Sequence, residues 1–242
     1  MIKKRNKNPK LIVALDVDTY RKAGRLVKAL APYVQVFKVG NILFTQCGPK
    51  IIQYIHKKGA KVFLDLKYFD IPNTVANAAA EATKMGVYMM NMHALAGEQC
   101  MKLTAKTVRQ KAKELHIFKP ILVAVTILTS MKEEDLEPLG IEGPVDEVVT
   151  KYAKLAQKAG VDGIVASPLE IIKIKKKFGD NFVVVTPGIR PEWAQTADDQ
   201  KRVMTPKEAI EAGSDFIVIG RPIIQARRPV EAVKKILEEI QE

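Results

Sequence analysis

The sequence predicts a single α/β domain, a (β/α)8 or TIM barrel, and three observations indicate this fold. The chain has 242 residues, a length typical of one such barrel. Short runs of apolar, often β-branched residues alternate with longer stretches of helical periodicity. Four joints from a helical stretch to the next run carry a glycine, which readily ends a helix. We therefore expect one catalytic domain over residues 1–242, with residues 1–9 as a flexible arm.

Eight apolar runs are the candidate strands. They are apolar at nearly every position, as expected for parallel strands that are buried on both faces. The runs are residues 11–15, 34–39, 61–66, 88–92, 121–127, 163–165, 182–186 and 216–219, and the joint glycines are Gly59, Gly86, Gly160 and Gly213. The alternative is an open doubly wound sheet. However, the first run is followed by Asp16-Val17-Asp18 and not by the G-x-G-x-x-G turn of a dinucleotide-binding sheet.

Composition limits the class of protein and of partner. The formal charge of +12 favours anionic ligands. Because the basic residues are scattered over helical stretches without interleaved aromatic residues, we expect a small phosphorylated ligand and no nucleic acid. Cys47 and Cys100 give neither a disulfide framework nor a zinc motif, which is typical of a cytoplasmic protein. No apolar run approaches the roughly 18 residues of a membrane span.

Charged residues stand where the apolar runs end. Asp16 follows the first run, Lys38 lies near the end of the second, and Asp65 and Lys67 end the third, with Asp70 just beyond. All strands of a barrel end at one opening, so these side chains should lie close together. Asp65 and Lys67 are two residues apart and should point to the same side of the sheet. A lysine among carboxylates stays charged, and the cluster therefore predicts a positioned proton donor.

Two arginines follow the last two runs. Arg190 comes after the seventh run, in Gly188-Ile189-Arg190, and Gly220-Arg221 comes after the eighth. Barrels often bind phosphate at this place, through backbone N–H groups and arginine. Two long connections, residues 128–144 and 188–205, should lie at the same face, where such loops usually serve function.

Several segments together resemble the orotidine 5'-phosphate decarboxylase family. The segments occur in the family's order from the first run to the last, and the D-x-K-x-x-D-I-P-N-T block is the most specific of them. They are Ala14-Leu15-Asp16, Phe37-Lys38-Val39-Gly40, Asp65-Leu66-Lys67-Tyr68-Phe69-Asp70-Ile71-Pro72-Asn73-Thr74, Leu128-Thr129-Ser130, Pro187-Gly188-Ile189-Arg190-Pro191 and Ile219-Gly220-Arg221-Pro222.

The resemblance implies a homodimeric lyase that converts orotidine 5'-monophosphate to uridine 5'-monophosphate in UMP biosynthesis, with no cofactor and no metal. It implies that Lys67 protonates a C6 carbanion within a network of Lys38, Asp65 and Asp70. Asp70 and Thr74 would complete the partner subunit's site. The implied substrate contacts are Asp16 and Lys38 for the ribose, Thr129 and Ser130 for the pyrimidine, and Arg190, Gln200, Gly220 and Arg221 for the phosphate.

Two alternatives remain open at this point. A metal-dependent sugar-phosphate decarboxylase or aldolase of the same suprafamily would share the D-x-K-x-x-D core. The continuation Ile71-Pro72-Asn73-Thr74 favours the nucleotide enzyme over it. A non-enzymatic nucleic-acid-binding protein would account for the charge of +12 but not for the charged residues at the strand ends.

Overall fold

The computed structural model describes residues 8–194 and 204–241, which form a closed barrel of eight parallel strands in sequential order. The strands are β1 (Asn8–Ala14), β2 (Val34–Gly40), β3 (Lys61–Tyr68), β4 (Met89–His93), β5 (Ile121–Val125), β6 (Gly163–Val165), β7 (Val183–Thr186) and β8 (Phe216–Ile219). β8 pairs with β1 and closes the barrel, with Ile12 opposite Val218. The prediction of a (β/α)8 barrel is confirmed, and the open-sheet alternative is excluded.

Helices follow the strands and pack around the barrel. They are α1 (Tyr20–Leu30), α2 (Asn41–Cys47), α3 (Lys50–Lys57), α4 (Pro72–Lys84), α5 (Glu98–Glu114), α6 (Glu133–Leu136), α7 (Val145–Lys158), α8 (Ile171–Phe178), α9 (Pro206–Glu211), α10 (Arg221–Ile224) and α11 (Pro229–Gln241). No helix within the described ranges is long and apolar enough to cross a membrane.

The four joint glycines end helices as predicted. Gly59, Gly86, Gly160 and Gly213 have φ angles of 70°, 72°, 77° and 105°. This region strongly favours glycine because a side chain would collide with the backbone. Each joint turns the chain from the end of a helix toward the next strand, and the repeated pattern was therefore a reliable signal of the β/α alternation.

The core has two layers. The larger layer lies between the strands and the helices, and the smaller one fills the barrel interior. The interior layer consists of Ile12, Ala14, Val36, Phe63, Met89, Val123, Val185, Phe216 and Val218. Because strand side chains alternate, the next inward positions on β1 to β4 lie above this layer, toward the carboxyl ends of the strands.

Most predicted strand limits agree with the structure to within two residues. The strand β1 begins at Asn8, so two residues assigned to the N-terminal arm belong to the barrel. The connection 128–144 contains α6 and a short 3-10 helix, Glu137–Leu139. The connection 188–205 is described up to Ala194, the end of the 3-10 helix Glu192–Ala194, and again from Met204.

Candidate active site

A cavity of about 270 Å³ opens at the carboxyl ends of the strands. Its floor is part of the interior core layer, including Phe63 and Val185. Residues on or just after all eight strands line it: Ala14, Asp16, Lys38, Phe63, Asp65, Lys67, Asn91, Thr129, Val165, Val185, Pro187, Gly188, Arg190, Val218, Gly220 and Arg221. Charged side chains are thus concentrated at the face where enzymes of this fold carry their active sites.

A row of alternating charges occupies one wall of the cavity. Lys38 Nζ lies 2.9 Å from Asp16 Oδ1 and 3.0 Å from Asp65 Oδ2. Lys67 Nζ donates to the other oxygen of Asp65, Oδ1, at 2.6 Å. Asp65 is only 7% exposed and is therefore the buried centre of the row. The single chain thus brings together four of the charged residues singled out by the sequence, in the order Asp16, Lys38, Asp65, Lys67.

The pairing keeps the buried members of this row ionised. Burial alone would raise the pKa of the Asp65 carboxyl, but the Lys38 and Lys67 ammonium groups and the hydrogen bonds from Lys67 and Asn91 outweigh it and lower the pKa. Burial alone would lower the pKa of Lys38, but Asp65 and Asp16 outweigh it and raise the pKa. At neutral pH Asp65 is therefore an anion and Lys38 a cation.

The backbone at Lys67 departs from a regular strand. Lys67 has a φ of 51°, in the left-handed region that residues other than glycine rarely adopt. In the pairing of β3 with β4 the register shifts, because Leu64 lies opposite Met90 and Tyr68 lies opposite Met92. The bulge turns Lys67 into the cavity beside Asp65. Side-chain alternation alone predicted the correct side of the sheet but not this conformation.

Gly40 leaves the space that the charged row occupies. A Cβ atom at this position would lie 3.1 Å from Lys38 Nζ and 3.5 Å from Asp16 Oδ1. The second distance is an ordinary contact, but the first is tighter than that, so the Lys38 ammonium would have to move by a few tenths of an ångström. The glycine at the end of β2 therefore belongs to the site even though it carries no functional group.

Arg190 and Arg221 also line the cavity, at the ends of β7 and β8. Arg190 is buried, its Nη1 donates to the Ile189 carbonyl at 3.2 Å, and its backbone N–H donates to the Met204 carbonyl at 3.0 Å. Gly220 immediately precedes α10, whose first residue is Arg221. Two guanidinium groups thus place positive charge in the cavity, at the ends of β7 and β8.

The structure separates the predicted site residues into three groups. Eight of them line the cavity: Asp16, Lys38, Asp65, Lys67, Thr129, Arg190, Gly220 and Arg221. Asp70, Thr74 and Ser130 are exposed and lie outside the lining of the single chain. Gln200 lies outside the described residues.

Two polar residues on β4 were not assigned to the site from the sequence. Asn91 is 1% exposed, lines the cavity, and hydrogen-bonds to both Asp65 and Lys67. His93 packs against Phe69, with ring centroids 5.5 Å apart, and burial and the charge of Lys67 lower its pKa. The available signal for Asn91 was a single amide within the apolar run 88–92.

Among the described residues no group of three or more His, Cys, Asp or Glu side chains is placed to hold a metal ion.

The closed barrel and the charged cavity at its carboxyl end define a (β/α)8-barrel enzyme with a site suited to a phosphorylated anion. Residues 9–236 match the sequence model of the Orotidine 5'-phosphate decarboxylase / HUMPS family. The chain belongs to this family.

Individual relatives agree with this assignment. The chain is 52% identical over 231 residues to the orotidine 5'-phosphate decarboxylase of Geotalea uraniireducens, covering 96% of this chain and 95% of the relative. It is 47% identical to that of Syntrophomonas wolfei over 235 residues, covering 96% and 98%. The crystal structure of orotidine 5'-phosphate decarboxylase from Lactobacillus acidophilus superposes with a TM-score of 0.85 at 37% identity, covering 97% of this chain and 100% of that one.

Proposed function

We propose that the protein is a carboxy-lyase that converts orotidine 5'-monophosphate to uridine 5'-monophosphate, the last step of de novo UMP synthesis, with Lys67 as the proton donor. The observation that carries this proposal is the Lys67 ammonium held 2.6 Å from the buried Asp65 carboxylate, in a cavity that also holds two arginines. Family membership supports the choice of reaction. The free thiols Cys47 and Cys100 support a cytoplasmic location.

The reaction requires stabilisation of a localised carbanion. The bond between C6 and the carboxylate breaks, CO2 departs, and the electron pair stays in an sp2 orbital of C6 that does not overlap with the π system of the ring. A fixed ammonium at Lys67 stabilises this pair electrostatically and then transfers a proton to C6. Asp65 holds the ammonium in place and lies near the departing carboxylate.

The rest of the nucleotide binds away from C6. Asp16 and Lys38 hold the ribose hydroxyls, and Thr129 and Ser130 hold the pyrimidine. Arg190, Gln200, Gly220 and Arg221 hold the phosphate. Binding energy from the phosphate then helps to bring the reacting groups together, although the phosphate takes no part in the bond changes.

The first test is the loss of orotidylate ultraviolet absorbance on addition of the purified protein, with and without a chelator. We expect rapid loss in both conditions. Loss that the chelator abolishes would contradict the cofactor-free mechanism. No loss from folded protein would reject the substrate, and sugar phosphates with magnesium would then be assayed for the aldolase or decarboxylase alternative.

Replacement of Arg221 by alanine should raise KM and also lower kcat, because the phosphate contact contributes both to binding and to the alignment of the reacting groups. Steady-state kinetics with orotidine 5'-monophosphate measure both constants. Arg227→Ala removes an exposed arginine beyond α10, outside this cavity, and is the matched control. Unchanged constants in Arg221→Ala would place the phosphate elsewhere.

The functional unit proposed is a homodimer in which Asp70 and Thr74 extend into the site of the partner subunit. Asp70 is exposed, and its Oδ1 accepts the N–H of the next residue, Ile71, at 2.6 Å. The apolar side chains on both sides of it, Phe69 and Ile71, are 62% and 67% exposed. Apolar residues around an exposed carboxylate just after the carboxyl end of β3 support coverage by a second copy of the chain.

Mixing two inactive variants tests this arrangement. Lys67→Ala and Asp70→Asn should each be inactive alone, but each mixed dimer should contain one site with an intact Lys67 and an intact Asp70. Random exchange of subunits should therefore restore about a quarter of wild-type activity. A mixture of Lys67→Ala with Asp65→Ala, whose defects lie in the same half of the site, is the control and should stay inactive. No recovery in the first mixture after verified exchange would contradict the shared site.

A further inference from the structure

We propose that Asn91 is the positioning residue that sets the place of the Lys67 ammonium. Its Oδ1 accepts the backbone N–H of Lys67 at 2.8 Å, and its Nδ2 donates to Asp65 Oδ1 at 2.6 Å. Asn91 is 1% exposed and lines the same cavity. The inference deepens the function proposed above and depends on Lys67 being the proton donor.

The bulge in β3 creates the need for such a residue. Three residues of β3, Asp65, Leu66 and Lys67, lie between the pairs Leu64–Met90 and Tyr68–Met92, whereas β4 has only Asn91 in this interval. The regular backbone pairing between the two strands is interrupted there. The Asn91 side chain takes over as acceptor for the Lys67 N–H, at the point where the Lys67 backbone has a φ of 51°.

The contacts form a closed ring around the catalytic pair. The Lys67 backbone binds the Asn91 carbonyl oxygen, the Asn91 amino group binds Asp65 Oδ1, and the same Oδ1 accepts the Lys67 ammonium at 2.6 Å. The backbone N–H is always a donor, so the amide orientation of Asn91 is fixed by the network. A side chain at this position must therefore accept on one side and donate on the other, at a length that spans both partners, and asparagine meets both requirements.

Loss of the amide should misplace Lys67 without removing any group that touches the substrate's phosphate or ribose. In Asn91→Ala we expect kcat to fall about 100-fold, while KM changes by less than about threefold. Binding of uridine 5'-monophosphate, measured by calorimetry, should change as little as KM.

The variant Asn91→Asp gives a readout that a merely structural role would not produce. Its introduced carboxyl still accepts the Lys67 N–H, but it can donate to Asp65 only when protonated. Activity relative to wild type should therefore be highest at acid pH and fall as pH rises through the pKa of that carboxyl. The charged or titratable groups around it are Asp65 and Lys67 on β3, Lys38 on β2 and His93 on β4. Asp16, Arg190 and Arg221 line the same cavity.

Thr186→Val is the matched control for loss of a buried polar contact. Thr186 is fully buried on β7, where its Oγ1 lies 2.8 Å from Ser214 Oγ, and it is not among the residues that line the cavity. We expect it to lose stability while its kcat stays within about twofold of wild type. A similar fall of kcat in this control would show that any buried polar loss impairs the enzyme, and would overturn the role of Asn91.

The experiment combines steady-state kinetics at several pH values with thermal unfolding of the wild type and the three variants. A kcat of Asn91→Ala within about threefold of wild type overturns the proposal, and so does a pH profile of Asn91→Asp parallel to that of wild type. If Asn91→Ala does not fold, the pH profile of Asn91→Asp decides alone. Absence of orotidylate turnover in the wild type would instead reject the proposed function, so the two failures are distinguishable.

Discussion

Replacement of Lys67 by alanine is expected to lower kcat by at least about 10⁴-fold, the largest catalytic effect of any substitution proposed for this chain. The variant loses both the proton donor and the positive charge that stabilises the carbanion. It should still bind uridine 5'-monophosphate, because the phosphate and ribose contacts are supplied by other residues. Removal of one ammonium from beside Asp65 leaves Lys38 paired with that carboxylate at 3.0 Å, so the fold should persist.

Steady-state kinetics measure the loss of kcat, and calorimetric titration with uridine 5'-monophosphate measures the binding that should be retained. Lys61→Ala is the matched control, because Lys61 begins the same strand at the opposite end of the barrel, where its Nζ lies 4.4 Å from the centre of the Tyr88 ring. This control should keep wild-type turnover. Turnover of Lys67→Ala within tenfold of wild type would contradict the role of Lys67 as proton donor.

The barrel could be predicted from the sequence because its signals are local and repeated. Buried parallel strands need continuous apolar runs, and each turn from helix to strand needs a residue that tolerates a positive φ. Both requirements are visible in single segments of the chain. The site followed from the fold, since a barrel brings all of its strand ends to one opening and so collects Asp16, Lys38, Asp65 and Lys67.

Other features of the site depend on relations between segments. The bulge at Lys67 is a shift in the register between β3 and β4, and neither strand alone encodes it. In the sequence, Asn91 is therefore an isolated amide in an apolar run, although in the structure it hydrogen-bonds to both members of the proposed catalytic pair. Asp70 differs from both of these residues. Its proposed role requires a second subunit, so the geometry of one chain leaves it exposed.

Replacement of Asp65 by asparagine is expected to cause the largest loss of stability. The Asp65 carboxylate is 7% exposed and accepts from Lys67, Lys38 and Asn91 at 2.6, 3.0 and 2.6 Å. The asparagine has nearly the same shape but no charge, and its amino group would meet one of these three donors. Removal of one member of a buried ion pair typically costs about 3–5 kcal/mol, so we expect the free energy of unfolding at pH 7 to fall by about that amount. Turnover should fall too, because Lys67 loses its anchor.

The pH dependence of stability separates the contribution of the Asp65 charge from that of its packing. The pKa of Asp65 is lower in the folded protein than in the unfolded chain, where it is about 3.9. The ionised carboxylate therefore stabilises the fold fully above the unfolded pKa. This contribution is lost as the pH falls through the pKa of the folded protein. The difference in unfolding free energy between wild type and Asp65→Asn should therefore be smaller at about pH 3 than at pH 7. Denaturant unfolding at both pH values measures it, with Thr186→Val as the uncharged control, whose difference should not follow this titration. Equal differences for Asp65→Asn at the two pH values would mean that shape and hydrogen bonding, and not the charge of Asp65 between two lysines, hold the centre of the site together.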